Sequence, residues 1–130
     1  MFTFDLVKGK TITAVWGLKK QEESVLLSLD DNSQIEFYHE QNCCENVWLE
    51  DFEFSGKDII GGTILDVVLV SEKQEDSDWG SKTWTFYKIQ TSKGELFMRW
   101  CGESNGYYSE DVDIKYVSPD GHEIKYDKYR

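Results

Sequence analysis

Apolar and polar residues alternate with a period of two through most of this chain, the pattern of strands that bury one face. In Lys10–Trp16 the residues Ile12, Ala14 and Trp16 share a side, and in Ser24–Leu29 Val25, Leu27 and Leu29 do so. The turn-forming run Asp30-Asp31-Asn32-Ser33 leads into Gln34–His39, with Ile35 and Phe37 inward, which predicts a β-hairpin. Glu40–Glu45 is polar and reads as a loop or one helical turn; Val47–Phe54 reads as a strand. Ser55–Gly62, with two separate glycine signals, reads as a connecting loop. Thr63–Val70 is rich in β-branched residues and reads as a central strand, in which Asp66 needs an edge position or a partner. The polar stretch Glu72–Lys82, EKQEDSDWGSK, is expected to be mobile.

Thr83–Gln90 and Glu95–Cys101 form a second predicted hairpin around Thr91-Ser92-Lys93-Gly94. Its register puts Tyr87, Ile89, Leu96, Met98 and Trp100 on a core face, and Trp84, Phe86, Lys88, Phe97 and Arg99 on the opposite one. A last hairpin joins Asp113–Val117 to Glu123–Tyr126 through Ser118-Pro119-Asp120-Gly121. No segment sustains a period of 3.6, and there is no internal repeat. The expectation is one mostly β domain over residues 1–130. It has seven or eight short, mainly antiparallel strands in a sandwich or a curved, partly closed sheet, with at most one short helix.

Composition agrees with this. A chain of 130 residues buries enough surface for a core of its own. Five Trp, seven Tyr and seven Phe suit pleated, half-buried surfaces. The net charge of −11 is uneven: residues 1–20 carry +3, 21–78 carry −14, 79–114 carry −1 and 115–130 carry +1. A field of this sign opposes direct nucleic-acid binding and attracts a basic partner. No apolar run approaches the ~20 residues that span a bilayer, so no membrane partner is expected. Cys43 and Cys44 are adjacent, a poor geometry for bonding to each other, and Cys101 leaves the count odd. Free thiols and a start, MFTFDLVKGK, without an export signal point to a reducing cytoplasm.

Two constellations bear on chemistry. His39, Cys43, Cys44, Glu45 and Asp51 are metal-ligand types. No convincing fourth ligand accompanies His39, Cys43 and Cys44, and the neighbouring Glu40 and Glu45 oppose a thiolate nucleophile. No metal or cofactor is assigned. The second constellation joins Trp84, Phe86, Lys88 and Arg99 to a following loop that carries Ser104, Asn105, Tyr107 and Tyr108. Cations, π-faces and hydrogen-bonding groups together suit a planar anionic ligand such as a nucleotide. Against this, aromatic residues fill β cores, Asn-Gly makes turns, and Arg99 has carboxylates to pair with. Glu103 and Glu110 flank the loop as a formal carboxylate pair, without any sign of a pKa split. Gly-rich phosphate loops, His-Glu-x-x-His and Ser-centred nucleophile elbows are absent, so no enzyme is expected.

HEQNCCENVWLEDFEFSGKDIIG (39–61) and TWTFYKIQTSKGELFMRWCGESNGYYSEDVD (83–113) resemble a family of small tailed-bacteriophage and prophage proteins classed as a domain of unknown function. Asn42 stands where that family more often has Asp, and Cys101 where an aromatic residue is usual. The resemblance implies a phage origin and a common fold, with action in the host cytoplasm. It carries over no activity, cofactor or catalytic residue. The expected function is non-enzymatic antagonism of a host process, a defence system above all, by sequestering a nucleotide-derived signal or binding a host defence protein. An alternative is an acidic nucleic-acid mimic of anti-CRISPR or anti-restriction type, with Glu45, Glu50, Asp51 and Glu53 at its partner surface. A third is a small metal-stabilised domain. Exposed strand edges also make a homo-oligomer an expectation.

Overall fold

The computed structural model describes residues 4–56 and 58–126. A single 3-10 turn, Phe4–Leu6, precedes nine strands: β1 Ile12–Trp16, β2 Val25–Leu29, β3 Gln34–Tyr38, β4 Asn46–Ser55, β5 Ile64–Asp76, β6 Ser81–Thr91, β7 Gly94–Ser104, β8 Asp113–Val117 and β9 Glu123–Lys125. They form two antiparallel sheets, ordered β1-β2-β3-β8-β9 and β4-β7-β6-β5. The apolar faces implied by the alternation meet. Phe37 of β3 lies edge-on to Tyr87 of β6 with ring centroids 5.4 Å apart. One buried cluster joins Val25, Leu27, Ile35 and Ile114 of the first sheet to Leu49, Ile89, Leu96, Met98 and Trp100 of the second. This is a sandwich, in which each large side chain contributes about 2 kcal/mol over its exposed state.

Short backbone pairings fasten both edges of the second sheet to the first. On one side Ile12 N–H donates to Gly62 O at 2.9 Å, Gly61 N–H to Ile12 O at 2.7 Å and Ile64 N–H to Lys10 O at 2.8 Å. On the other, Leu49 N–H donates to Glu22 O and Gln21 N–H to Leu49 O, both at 2.7 Å. These seams make the sandwich partly closed and remove free edges where they run.

Two expectations are corrected. Thr63–Val70 is not central: β5 is an edge strand, with Leu65 and Val70 exposed and Asp66 paired to Lys8 at 3.6 Å. Nor is Glu72–Lys82 a loose connection. Its first half continues β5 through Asp76, in register with Ser81–Thr85 of β6, and Ser77–Gly80 closes the hairpin. Polar side chains are tolerated in this half of β5 because residues 71–76 are exposed, whereas Ile64 and Val67 nearer its start are buried. Trp84 Nε1–H adds a cross-strand bond to Glu75 Oε1 at 3.0 Å. In the 55–62 connection, Lys57 lies outside the described residues. No helix among the described residues is long and apolar enough to cross a membrane.

Candidate binding face

The pleat fixes the outer face of the second sheet. β6 and β7 pair along their whole length, so Lys82 stands beside Glu103, Trp84 beside Cys101, Phe86 beside Arg99 and Lys88 beside Phe97. β4 adds Trp48 beside Cys101, Asp51 beside Arg99 and Glu53 beside Phe97. A bulge between Leu49 and Asp51 brings Glu50 to the same side. There Trp48 Nε1–H donates to Glu50 Oε2 at 2.6 Å.

Arg99 is the centre of this face. Its guanidinium lies 5.2 Å from the Trp84 ring, and Lys82 Nζ lies 5.7 Å from the same ring. At a partly exposed position the Arg99 contact is worth about 0.5–1 kcal/mol. Arg99 Nη2 is 3.5 Å from Asp51 Oδ2, with 41% of the arginine side chain exposed. Lys82 and Lys88 are likewise matched, to Glu103 at 3.3 Å and Glu95 at 3.7 Å. Beside Arg99 is an open depression of ≈ 210 Å³ lined by Asp51, Phe52, Glu53, Phe86, Phe97 and Arg99. Cys101 is buried in the row between Trp48 and Trp84. Burial pushes its thiol up to about 11, so it stays protonated at neutral pH and packs as a small apolar group.

The structure thus brings Trp84, Phe86, Lys88 and Arg99 together. Ser104, Asn105, Tyr107 and Tyr108 are elsewhere, because a strand advances about 3.3 Å per residue and carries the loop to the far end of the sheet. Ser104 is fully buried on the inner face and is not a ligand group. Its hydroxyl, with those of Ser81 and Thr83, bonds the buried carboxylate of Glu110, the Thr83 contact being 2.8 Å. The loop rests on the β5–β6 turn: a Cβ on Gly80 would lie 2.3 Å from the Asn105 carbonyl carbon. Asn105 Oδ1 accepts the Tyr107 N–H at 3.0 Å, and Tyr107 is 83% exposed. Tyr108 lines a different, polar cleft of ≈ 310 Å³ with Glu72, Gln74, Thr83, Ser109, Glu110 and Asp111, none of which touches the Arg99 depression. Glu103 and Glu110 face opposite sides of the sheet, so the formal carboxylate pair does not exist in space.

The His39–Glu45 motif is structural. His39 Nε2 lies 3.0 Å from Glu45 Oε1, and Nδ1 lies 2.7 Å from the Asp111 carbonyl oxygen. Glu45 also accepts the backbone N–H groups of Asn42 at 2.6 Å and Cys43 at 3.1 Å. Burial by itself would raise its pKa. The backbone donors, with His39 beside them, outweigh that and hold the carboxyl at about 2. Glu45 is therefore no part of a partner surface, whereas Glu50, Asp51 and Glu53 are on the outer face. Cys43 and Cys44 are bonded to each other, contrary to the expectation of free thiols, and the argument from thiols to compartment falls away. Among the described residues no group of His, Cys, Asp and Glu is placed to hold a metal ion. Sequence reasoning missed Glu45 and Glu110 as organising residues; the only signal was that each sits at the end of a turn-rich segment.

These features define an all-β sandwich with an aromatic, charge-rimmed outer face on one sheet. The chain belongs to the family described as Domain of unknown function (DUF7448), which matches residues 5–114. That span takes in β1 through β7, the whole outer face and both buried carboxylates. No curated protein and no solved structure matches the chain.

Proposed function

We propose that this is a non-enzymatic, phage-type accessory protein that antagonises a host process, a defence system in the first place, by binding a basic host protein in the host cytoplasm. The binding surface in this reading is the outer face of β4, β7 and β6. The observation that carries it is the pairing of every cation on the β6–β7 ladder with a carboxylate: Arg99 with Asp51, Lys82 with Glu103, Lys88 with Glu95. Glu50 and Glu53 add net negative charge to an aromatic surface made by Trp48, Trp84, Phe86 and Phe97. Such a surface attracts a basic protein of the kind that handles nucleic acid, with strong salt dependence. Replacing Glu50, Asp51 and Glu53 together by Lys is expected to abolish binding to such a partner, and with it the inhibition, while the circular dichroism spectrum is retained. Full inhibition by the triple variant would overturn the reading.

A second reading, a nucleotide-derived signal as ligand, is favoured by the Arg99 guanidinium stacked on Trp84. It ranks below the first on charge and size. A phosphate beside Arg99 also meets Asp51 and Glu53, and ≈ 210 Å³ falls short of the roughly 300 Å³ at which small-molecule pockets begin. Calorimetry against a panel of nucleotides and cyclic nucleotides decides it: saturable heat that Arg99→Ala abolishes would reverse the ranking.

A further inference from the structure

We infer that the depression between Phe86 and Phe97 is a socket for an arginine side chain of the bound partner, an inference that rests on the binding-face reading above. Its lining combines the two things a guanidinium needs. Aromatic rings from Phe86 and Phe97 supply π-surface, and the carboxylates of Asp51 and Glu53 supply acceptors. Two carboxylates against the one guanidinium of Arg99 leave the lining net negative, so the occupant is a cation. Both carboxylates keep acceptor capacity. Among the described residues Asp51 Oδ1 takes only the Phe52 N–H at 2.9 Å, and Asp51 Oδ2 is 3.5 Å from Arg99, longer than a charge-assisted hydrogen bond. Glu53 is exposed and makes no ion pair among the described residues.

Size and hydration narrow the choice. The ≈ 210 Å³ space is scaled to the end of one side chain rather than to a nucleotide. Arginine is preferred over lysine because its planar head is weakly hydrated, stacks on rings and bonds a carboxylate through two N–H groups at once. Arg99 already shows this mode on the same face, stacked on Trp84 with Asp51 beside it. The incoming guanidinium repeats it one row along, over Phe86 and Phe97 and against Glu53.

The test is an amide-resolved NMR titration of the full chain with acetyl-Gly-Arg-Gly-amide, its lysine counterpart and AMP. The arginine peptide is expected to give saturable shifts confined to Asp51, Glu53, Phe86, Phe97 and Arg99. The lysine peptide should bind at least fivefold more weakly. Asp51→Asn with Glu53→Gln should weaken the arginine peptide at least tenfold and leave the spectrum outside this face unchanged. No shifts with the arginine peptide at millimolar concentration, or an unchanged affinity in the double variant, would overturn the socket. AMP moving these residues where the arginine peptide does not would also remove the socket and leave a binding face of the other kind. A saturable arginine response beside undiminished inhibition by the Glu50/Asp51/Glu53 charge reversal upholds the socket and removes the proposed target alone.

Discussion

Glu45 and Glu110 are carboxylates in positions where a carboxylate is costly; Glu110 is held in part by donors 27 and 29 residues away, Glu45 by donors within six residues. Glu110 uses hydroxyls of Ser81, Thr83 and Ser104. Glu45 uses two backbone amides and His39. Because the Glu45 pKa is about 2 in the fold against an ordinary 4.5, its stabilisation is complete above about pH 4.5 and is lost as pH falls toward 2. Asp31, lowered from 3.8 to about 2 chiefly by its bond with Lys10 and then by Ser33, acts in the same direction over a neighbouring window. Glu45→Gln is therefore expected to be less stable at pH 7 and to show a shallower acid limb, its denaturation midpoints converging on those of the parent near pH 2. Urea titrations at several pH values measure this; parallel acid limbs would refute the role given to Glu45.

At the scale of elements, the β6–β7 ladder positions the candidate face, and its far end depends on close packing at Gly102. A Cβ there would lie 2.7 Å from the Glu110 carbonyl oxygen and 2.8 Å from the Glu110 Cβ. The obstacle is largely backbone and cannot swing aside, so Gly102→Ala is expected to cost about 1–3 kcal/mol. A melting temperature several degrees lower, read by circular dichroism, is the expected result; an unchanged one would mean that the 104–110 loop shifts freely. The β5–β6 hairpin shows how an element escapes a local reading. EKQED carries neither a buried face nor β-branched residues, and it is strand only because β6 is beside it as a template.

For the whole molecule, charge acts in two opposite ways. A net charge of −11, concentrated as −14 in residues 21–78, strains the fold by self-repulsion. Salt shortens the reach of that repulsion to about 8 Å at 0.15 M. Raising NaCl from ~0.01 M to ~0.15 M is expected to raise the melting temperature by a few degrees while weakening binding to a basic partner. Calorimetric melts and affinities at matched salt concentrations check both signs. A melting temperature that falls with salt would mean that the ion pairs, such as Lys10–Asp31 at 2.6 Å, outweigh the repulsion.

The sequence by itself determined which side of β6 and β7 each residue occupies, because the pleat alternates strictly and depends on no other segment. Trp84, Phe86, Lys88 and Arg99 were legible as one face for that reason, and the hairpin turns at 30–33, 91–94 and 118–121 were legible from their own residues. Tertiary structure alone decided that β5 is an edge, that Ser104 turns inward to Glu110, that Glu45 is buried, and that the tyrosine loop stands apart from Arg99. Strand order and the partnering of Glu110 depend on residues far along the chain, such as Ser81 at a separation of 29. Alternation records whether a face is buried, and it carries no information about which element buries it.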